Sequence, residues 1–421
     1  MNKETLAIHA GYNKDAQGTM AVPIYQSTAF AFDSAQQASD RFCLQDLGNI
    51  YTRLTNPTTA VLEERLAELE GGASAIATSS GQAAIFYAVA NLFESGDNIV
   101  ISDKIYGGSV TLFKYTMKRF GLETRVFEND NPESIEALVD DKTKAIFFES
   151  LSNPQIAVAD IDAISAIAKK HGIISICDNT VATPYLINPI AHGTDIVIHS
   201  CSKYMSGQGL ALGGVIIDRD GLSEFFKNNP RYSHFSTPDA SYHGLVYTDL
   251  PFPAFNLRIR LALLRDIGAT PSPFNSWSLI QSIETLALRI EKHSANAQKV
   301  AEYLESNPQV FNLNYPGLKS NKYYALANKY FKDGLCSGLI SFEVKDKETA
   351  WKILDNTNIF SIVVNIGDSK SIITHPSSTT HQQIPLDEQK LIGITEGLIR
   401  LSIGLEHPED LIADLETALN A

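Results

Sequence analysis

Residues 178–214 read DNTVATPYLINPIAHGTDIVIHSCSKYMSGQGLALGG. An apolar run, Ile173–Cys177, leads into them and ends on the acid Asp178. A second run, Asp195–His199, ends in Ser200-Cys201-Ser202-Lys203, and a third, Val215–Ile217, follows a glycine-rich turn. Short β-branched runs whose ends carry an acid and a hydroxyl-flanked lysine read as parallel strands. Such strands deliver reactive groups to one edge of a sheet, where α/β proteins bind their ligands.

A lysine amine forms a Schiff base with a carbonyl, and pyridoxal phosphate (PLP) supplies one. An acid against the pyridine nitrogen keeps that ring protonated and so an electron sink. Ser200 and Ser202 offer hydroxyls to a phosphate. Asp178 and Lys203 lie 25 positions apart (203 − 178), one strand–helix–strand step. The same residues also fit a surface lysine after a buried strand and an ordinary strand-end acid, and this stretch alone leaves both readings open.

Upstream, Thr59–Leu69 carries leucines at 62, 66 and 69 and closes on Gly71-Gly72, which predicts a helix. A short strand then runs through Ser80-Gly81-Gln82 into the helical AAIFYAVANLF. A small-residue turn at a helix N-terminus can seat a phosphate on free backbone N–H groups. It is neither GxGxxG nor GxxxxGK[ST], so a dinucleotide fold and a P-loop are not supported. Predicted strands at 98–102, 124–127, 144–149, 173–177, 195–199 and 212–217 alternate with helical segments such as Asp160–His171. This alternation implies a mostly parallel sheet covered on both faces. Tyr106 follows one strand end, where it can lie on a flat cofactor or simply occupy a turn. Asn153-Pro154 follows another, after Glu149.

Residues 1 to about 60 show no clear amphipathic period and must pack on the body of the protein or on a neighbouring subunit. Within them Arg53 is a solvated loop residue or a phosphate ligand. Residues 220–275 read as ordered loops around a helix at 256–266. Pro273–Glu305 reads as a long helical stretch, with a domain hinge near Ser282. Beyond it, strands and helices without βαβ alternation suggest a smaller α+β domain. The expected division is an arm at 1–60, an α/β domain at 61–282 and a C-terminal domain at 283–421. Arg400, inside the apolar LIRLSIGLE, is costly unless it meets an acid or a bound anion. Asn365-Ile-Gly-Asp368 is a turn that faces a ligand or caps itself. His375 and His381, six apart with no acids nearby, read as satisfied structural histidines and not as a metal pair.

At 44% hydrophobic and 19% charged residues, the 421-residue chain is an ordinary globular protein of two domains. Its net charge of −14 argues against nucleic-acid or anionic-membrane partners. Cys43, Cys177, Cys201 and Cys336 stand far apart without a CxxC pair, which excludes the usual zinc spacing and gives no disulfide framework. No apolar leader or membrane-length run is present, so a cytoplasmic location is expected.

Several of these segments occur together, and in the same order, in one known family. They are Tyr51-Thr-Arg53-Leu-Thr-Asn-Pro57, Ser80-Gly81-Gln82-Ala83-Ala84-Ile85, Asp178-Asn179-Thr180, His199-Ser-Cys-Ser-Lys203-Tyr204 and His375-Pro-Ser-Ser-Thr-Thr-His381. The chain resembles the Cys/Met-metabolism PLP enzymes, the γ-family of fold type I, from about Thr5 to its end. The resemblance implies a mostly parallel seven-stranded sheet domain, a smaller α+β C-terminal domain and an N-terminal arm.

It also implies roles for individual residues. Lys203 becomes the Schiff-base lysine, Asp178 the partner of the pyridine nitrogen, and Tyr106 the ring-stacking residue and a proton carrier. Gly81, Gln82, Ser200 and Ser202 hold the phosphate. Gln82 stands where methionine is usual, but the contact runs through the backbone. Tyr51 and Arg53 reach the phosphate of an adjacent subunit, with Tyr51 also near the chemistry, so the implied assembly is a dimer at least, usually a tetramer built from two dimers with shared sites. Arg400, Asn153 and Asn365 bind the amino-acid substrate, and no metal is implied.

Three features resemble the O-acetylhomoserine sulfhydrylase branch: the length of the 220–275 loops, the N-terminal IHAGYNKD…AVPIYQSTAF, and Asn365 where lyases tend to carry serine. That branch exchanges the acetate of O-acetylhomoserine for sulfur, with sulfide, methanethiol or a sulfur-carrier protein as donor. The neighbouring activities are methionine γ-lyase and cystathionine γ-synthase or lyase. A non-catalytic binding protein is the alternative from another class.

Overall fold

The structure, a computed structural model, describes all residues 1–421. Seven strands form one sheet: β1 (Ser74–Thr78), β2 (Asn98–Ser102), β3 (Glu123–Phe127), β4 (Thr143–Glu149), β5 (Ile174–Asp178), β6 (Ile196–Ser200) and β7 (Gly214–Asp218). Their order is β1-β7-β6-β5-β4-β2-β3. β2 pairs parallel with β3 and β4, and β4 with β5, whereas β1 runs antiparallel to β7. All five residues of β2 are buried, as is nearly all of β4. Strands covered on both faces read as continuous apolar runs, and that is how these segments were legible.

A second sheet has the order β10-β11-β12-β9-β8. It is built from β8 (Phe311–Asn314), β9 (Leu339–Glu343), β10 (Ser361–Ile362), β11 (Ile372–Thr374) and β12 (Leu398–Ser402). β12 is antiparallel to both β9 and β11, and Arg400 stands opposite Ser341 and Thr374.

The chain divides into two compact units. One comprises residues 1–92, 198–202 and 211–284, and the other residues 93–197, 203–210 and 285–421. In the first, the N-terminal segment is not featureless: helices α1 (Lys3–His9) and α2 (Ala35–Phe42) lie within it. Neither was legible because each is short and one of them buries no residue at all. The buried guanidinium of Arg65 pins the segment, donating to the carbonyls of Ala10 (2.9 Å) and Ile8 (3.0 Å). Arg65 sits on α3 (Pro57–Glu70), which Asn56 caps by accepting from the N–H groups of Thr58 and Thr59. Pro57 at its first position and Gly71 in the left-handed conformation (φ 72°) complete the helix signature. The expected helix at 256–266 extends over 254–267, with a π-helical stretch at its centre. The helical stretch from Pro273 to Glu305 is two helices, Pro273–Ile283 and Leu286–Glu305, broken at Glu284-Thr285.

β7 ends on a fully buried acid. Asp218 Oδ1 accepts from Ser74 Oγ (2.6 Å) and Asn256 Nδ2 (3.1 Å), while Oδ2 makes no hydrogen bond. Burial pushes its carboxyl up from 3.8 to about 7. The folded state therefore favours the neutral acid, whereas the unfolded chain ionises near 3.8. Stability from this group is full below that value and is lost as pH rises toward 7. Asp218→Asn, neutral throughout, should gain on the wild type across this window, by on the order of 2 kcal/mol at pH 8. Urea unfolding at pH 4 and pH 8 checks this; a pH-independent difference would contradict it.

Candidate active site

Within the first unit, α4 (Gly81–Ala90) begins at Ser80, whose side chain caps the helix by accepting from the N–H of Ala83 (3.2 Å). The first N–H groups of a helix have no partner inside it. The cap takes that of Ala83, which leaves those of Gly81 and Gln82 to point out of the helix end. Ser200 packs on this turn so closely that a Cβ on Gly81 would lie 2.6 Å from the serine Cβ and 2.9 Å from its Cα. A Cβ on Gly214 would lie 2.2 Å from the carbonyl oxygen of Ser80. The result is a glycine-walled cradle of backbone N–H groups with a hydroxyl beside it, the donor set a phosphate takes. Behind Ser200, the buried His199 Nε2 stands 2.5 Å from the buried Glu70 Oε1, tying β6 to the end of α3. Ser202 Oγ accepts from the N–H of Gly213 (3.0 Å) and donates to the carbonyl of that residue (3.3 Å). Tyr51 and Arg53 are exposed, with the guanidinium 5.2 Å over the tyrosine ring.

The second unit holds the lysine. Lys203 Nζ donates to Asn365 Oδ1 (2.7 Å), and the backbone carbonyl of Asn365 accepts from Arg400 Nη2 (2.8 Å). Arg400 Nη1 donates to Asn153 Oδ1 (2.9 Å), and Nη2 also reaches Thr374 Oγ1 (3.2 Å). Arg400 is 2% exposed, and its buried Nε has no partner. Its partners are thus amide, carbonyl and hydroxyl, with no carboxylate among them. Burial pushes Arg400 down to about 10. Burial, and then the charge of Arg400, holds the Lys203 amine below the usual lysine range.

The ends of β2, β4 and β5 carry the remaining groups of this unit. Asp178 closes β5 and accepts from the N–H of Thr180 (3.0 Å). Glu149 closes β4 directly opposite it in register. One Glu149 oxygen accepts from the N–H of Tyr106 (2.7 Å) and the other from that of Asn153 (3.3 Å). His375 is satisfied by Ser378 Oγ and the Glu396 carbonyl, as expected. His381 is not: Nδ1 meets Thr380 Oγ1, but the buried Nε2 has no partner. It lies against Gly107, where an added Cβ would come within 2.9 Å of it. Burial, then Arg400, pushes His381 down to about 4, so its ring is neutral.

Lys203, Asn365, Arg400 and Asn153 thus form one hydrogen-bonded chain, while Tyr106 follows the end of β2 and Asp178 closes β5, with β4 between them. Sequence reasoning assigned no role to Glu149 or Thr374. Glu149 had the same signature as Asp178, an acid closing an apolar strand; Thr374 had none.

A half-buried lysine poised beside an unneutralised arginine, and strand-end acids on a parallel sheet, define an enzyme of fold type I that works through a carbonyl cofactor on an anionic substrate. Comparison with known proteins gives the class its family. Residues 4–420 match the family described as Cys/Met metabolism PLP-dependent enzyme, and the chain belongs to it. PLP is its cofactor; the glycine-walled cradle of the first unit has the donors its phosphate takes, and the Lys203 amine of the second is the group its carbonyl takes.

The O-acetyl-L-homoserine sulfhydrylase of Leptospira meyeri is 45% identical over 99% of this chain and 96% of its own length. That of Corynebacterium glutamicum is 46% identical over 98% of this chain and 95% of its own. A crystal structure of a putative O-acetylhomoserine (thiol)-lyase from Campylobacter jejuni, carrying N'-pyridoxyl-lysine-5'-monophosphate, is 56% identical over the whole of both chains, with a TM-score of 0.99. A cystathionine gamma-lyase from Lactobacillus plantarum is 32% identical with a TM-score of 0.84. No helix of the chain is long and apolar enough to cross a membrane.

Because Gly81 meets both the backbone and the side chain of Ser200, Gly81→Ala should cost about 1–3 kcal/mol and lower PLP retention. Denaturant unfolding of the apoprotein and cofactor content after dialysis check this. Unchanged values in both would show that the cradle yields freely.

Proposed function

We propose that this protein catalyses γ-replacement on O-acetyl-L-homoserine with sulfide, giving L-homocysteine and acetate, a transferase reaction of methionine biosynthesis. The observation that carries this is the chain Lys203–Asn365–Arg400–Asn153, which sets a base beside a carboxylate-binding cation, joined to relatives that bear this activity. Asn365, where lyases tend to carry serine, favours the replacement branch.

When bound, PLP supplies a carbonyl for the substrate amine and a protonated ring that withdraws electrons from Cα. Lys203 would anchor it, Asp178 would face its ring nitrogen, Tyr106 would lie on its face, and Gly81, Gln82, Ser200 and Ser202 would hold its phosphate. Arg400 and Asn153 would clamp the substrate carboxylate in the bidentate manner that suits a guanidinium. The amine of Lys203, oriented by Asn365 and lowered by burial and by Arg400, would take the Cα proton, hand it on, and as a free amine again take a Cβ proton. Acetate then leaves Cγ with its bonding electron pair, and sulfide adds at the same carbon. Reverse proton transfers from Lys203, with Tyr106 and Tyr51 as carriers near Cγ, complete the exchange.

The exposure of Tyr51 and Arg53 supports a role in the phosphate site of a neighbouring subunit. The reading divides the chain into an arm at 1–60, a cofactor domain at 61–282 and a C-terminal domain at 283–421, assembled as a homotetramer of site-sharing dimers in the cytoplasm. Sulfide is the proposed donor, with a sulfur-carrier protein as the alternative.

The product test supplies O-acetylhomoserine with and without sulfide and assays homocysteine and 2-oxobutyrate together. Sulfide-dependent homocysteine with little keto acid is expected; keto acid as the main product in both cases would make the protein a lyase. For site sharing, Arg53→Ala and Lys203→Ala proteins are mixed after mild dissociation. Hybrid dimers with one intact site should regain activity that neither parent has, and no recovery would count against a shared site.

A further inference from the structure

Glu149 is a buried acid that the chemistry above does not use. It is 4% exposed and closes β4, in register with Asp178 at the end of β5. Burying a carboxyl is costly unless its oxygens are occupied. Each oxygen of Glu149 is occupied by a backbone N–H: that of Tyr106 at 2.7 Å and that of Asn153 at 3.3 Å. These two N–H groups belong to different loops, one after β2 and one after β4. One loop carries the proposed ring-stacking tyrosine, the other the asparagine bonded to Arg400 Nη1. Burial, then the charge of Asp178, holds the Glu149 carboxyl well above the usual carboxylate range.

We propose that Glu149 is a positioning residue that fixes the Tyr106 loop and the Asn153 loop against one another, so that cofactor stacking and carboxylate binding are set by one side chain. This rests on the reading of Tyr106 and Asn153 given under Proposed function. The two loops leave different strands, and among the bonds of these two residues only the Glu149 carboxyl joins both backbones. A carboxyl can accept at both oxygens. A carboxamide has one acceptor and turns its NH2 toward the second N–H, so Glu149→Gln can hold only one loop.

The test compares wild type, Glu149→Gln and Glu149→Asp as PLP-loaded proteins. Readouts are KM and kcat for O-acetylhomoserine, the visible circular dichroism of bound PLP, and hydrogen exchange of the Tyr106 and Asn153 amides. In a folded Glu149→Gln protein we expect KM to rise roughly fivefold or more, the dichroic band to change in size, and at least one of the two amides to lose protection. Values within twofold of wild type for KM, kcat and dichroism, with both amides protected, would overturn the proposal. If Glu149→Gln does not fold, Glu149→Asp, which keeps the carboxyl but shortens its reach, is judged by the same limits. Wild-type exchange decides in every case: rapid exchange of either amide overturns the proposal. Failure of the wild type to make homocysteine would instead sink the functional reading and leave the exchange result standing.

Discussion

The site depends on a cation buried without an anion. Arg400 is held by an asparagine amide, a backbone carbonyl and a threonine hydroxyl, with Nε left over. A guanidinium so placed carries a desolvation cost that neutral acceptors offset only in part. In the proposed function an arriving carboxylate would complete the shell, so the same cost that weakens the empty site would strengthen its grip on an anion. The field of Arg400 extends further: it helps to hold Lys203 below the usual lysine range and His381 in its neutral form. A single residue on β12 thereby adds to what burial does at Lys203 and is the cation to which the proposed function assigns the substrate carboxylate.

The second sheet makes that placement possible. Arg400 lies in register between Thr374 on one neighbouring strand and Ser341 on the other, so polar side chains flank it in an otherwise apolar layer. Asn365 then bridges Arg400 and Lys203 with two parts of one residue, the carbonyl to the guanidinium and the side chain to the amine. A serine there would be shorter and without an amide oxygen, so it could not make both of these bonds in the same way. Opposed acids stand at the ends of β4 and β5. Burial, then the charge of Asp178, holds the Glu149 carboxyl well above the usual carboxylate range.

Much of the fold was legible because its strands are buried on both faces and interrupted by strong punctuation. The run NIVIS gave β2 at its observed bounds, and the leucines at 62, 66 and 69 with Gly71 marked α3. Lys203 and Asp178 stood out because each ends an apolar run with a reactive group. The two N-terminal helices escaped notice because they span only 7 and 8 residues, about two turns each, too few for a helical repeat to stand out. Thr374 was invisible for a different reason, since a threonine within a strand ordinarily reads as a β-former. The unpartnered ring nitrogen of His381 lies against Gly107, far away in sequence, and no local pattern encodes such a contact.

The most direct test of the central claim asks whether Arg400 is a cation kept for a carboxylate. Inhibition of the wild-type protein by an unreactive amino acid, such as L-norleucine, is compared with inhibition by its carboxamide, and the pair is repeated with Arg400→Met. The account predicts that the acid binds the wild type at least about tenfold more tightly than the amide, and that the preference disappears in the variant. Equal affinities in the wild type, or a preference that survives the loss of the guanidinium, would contradict it.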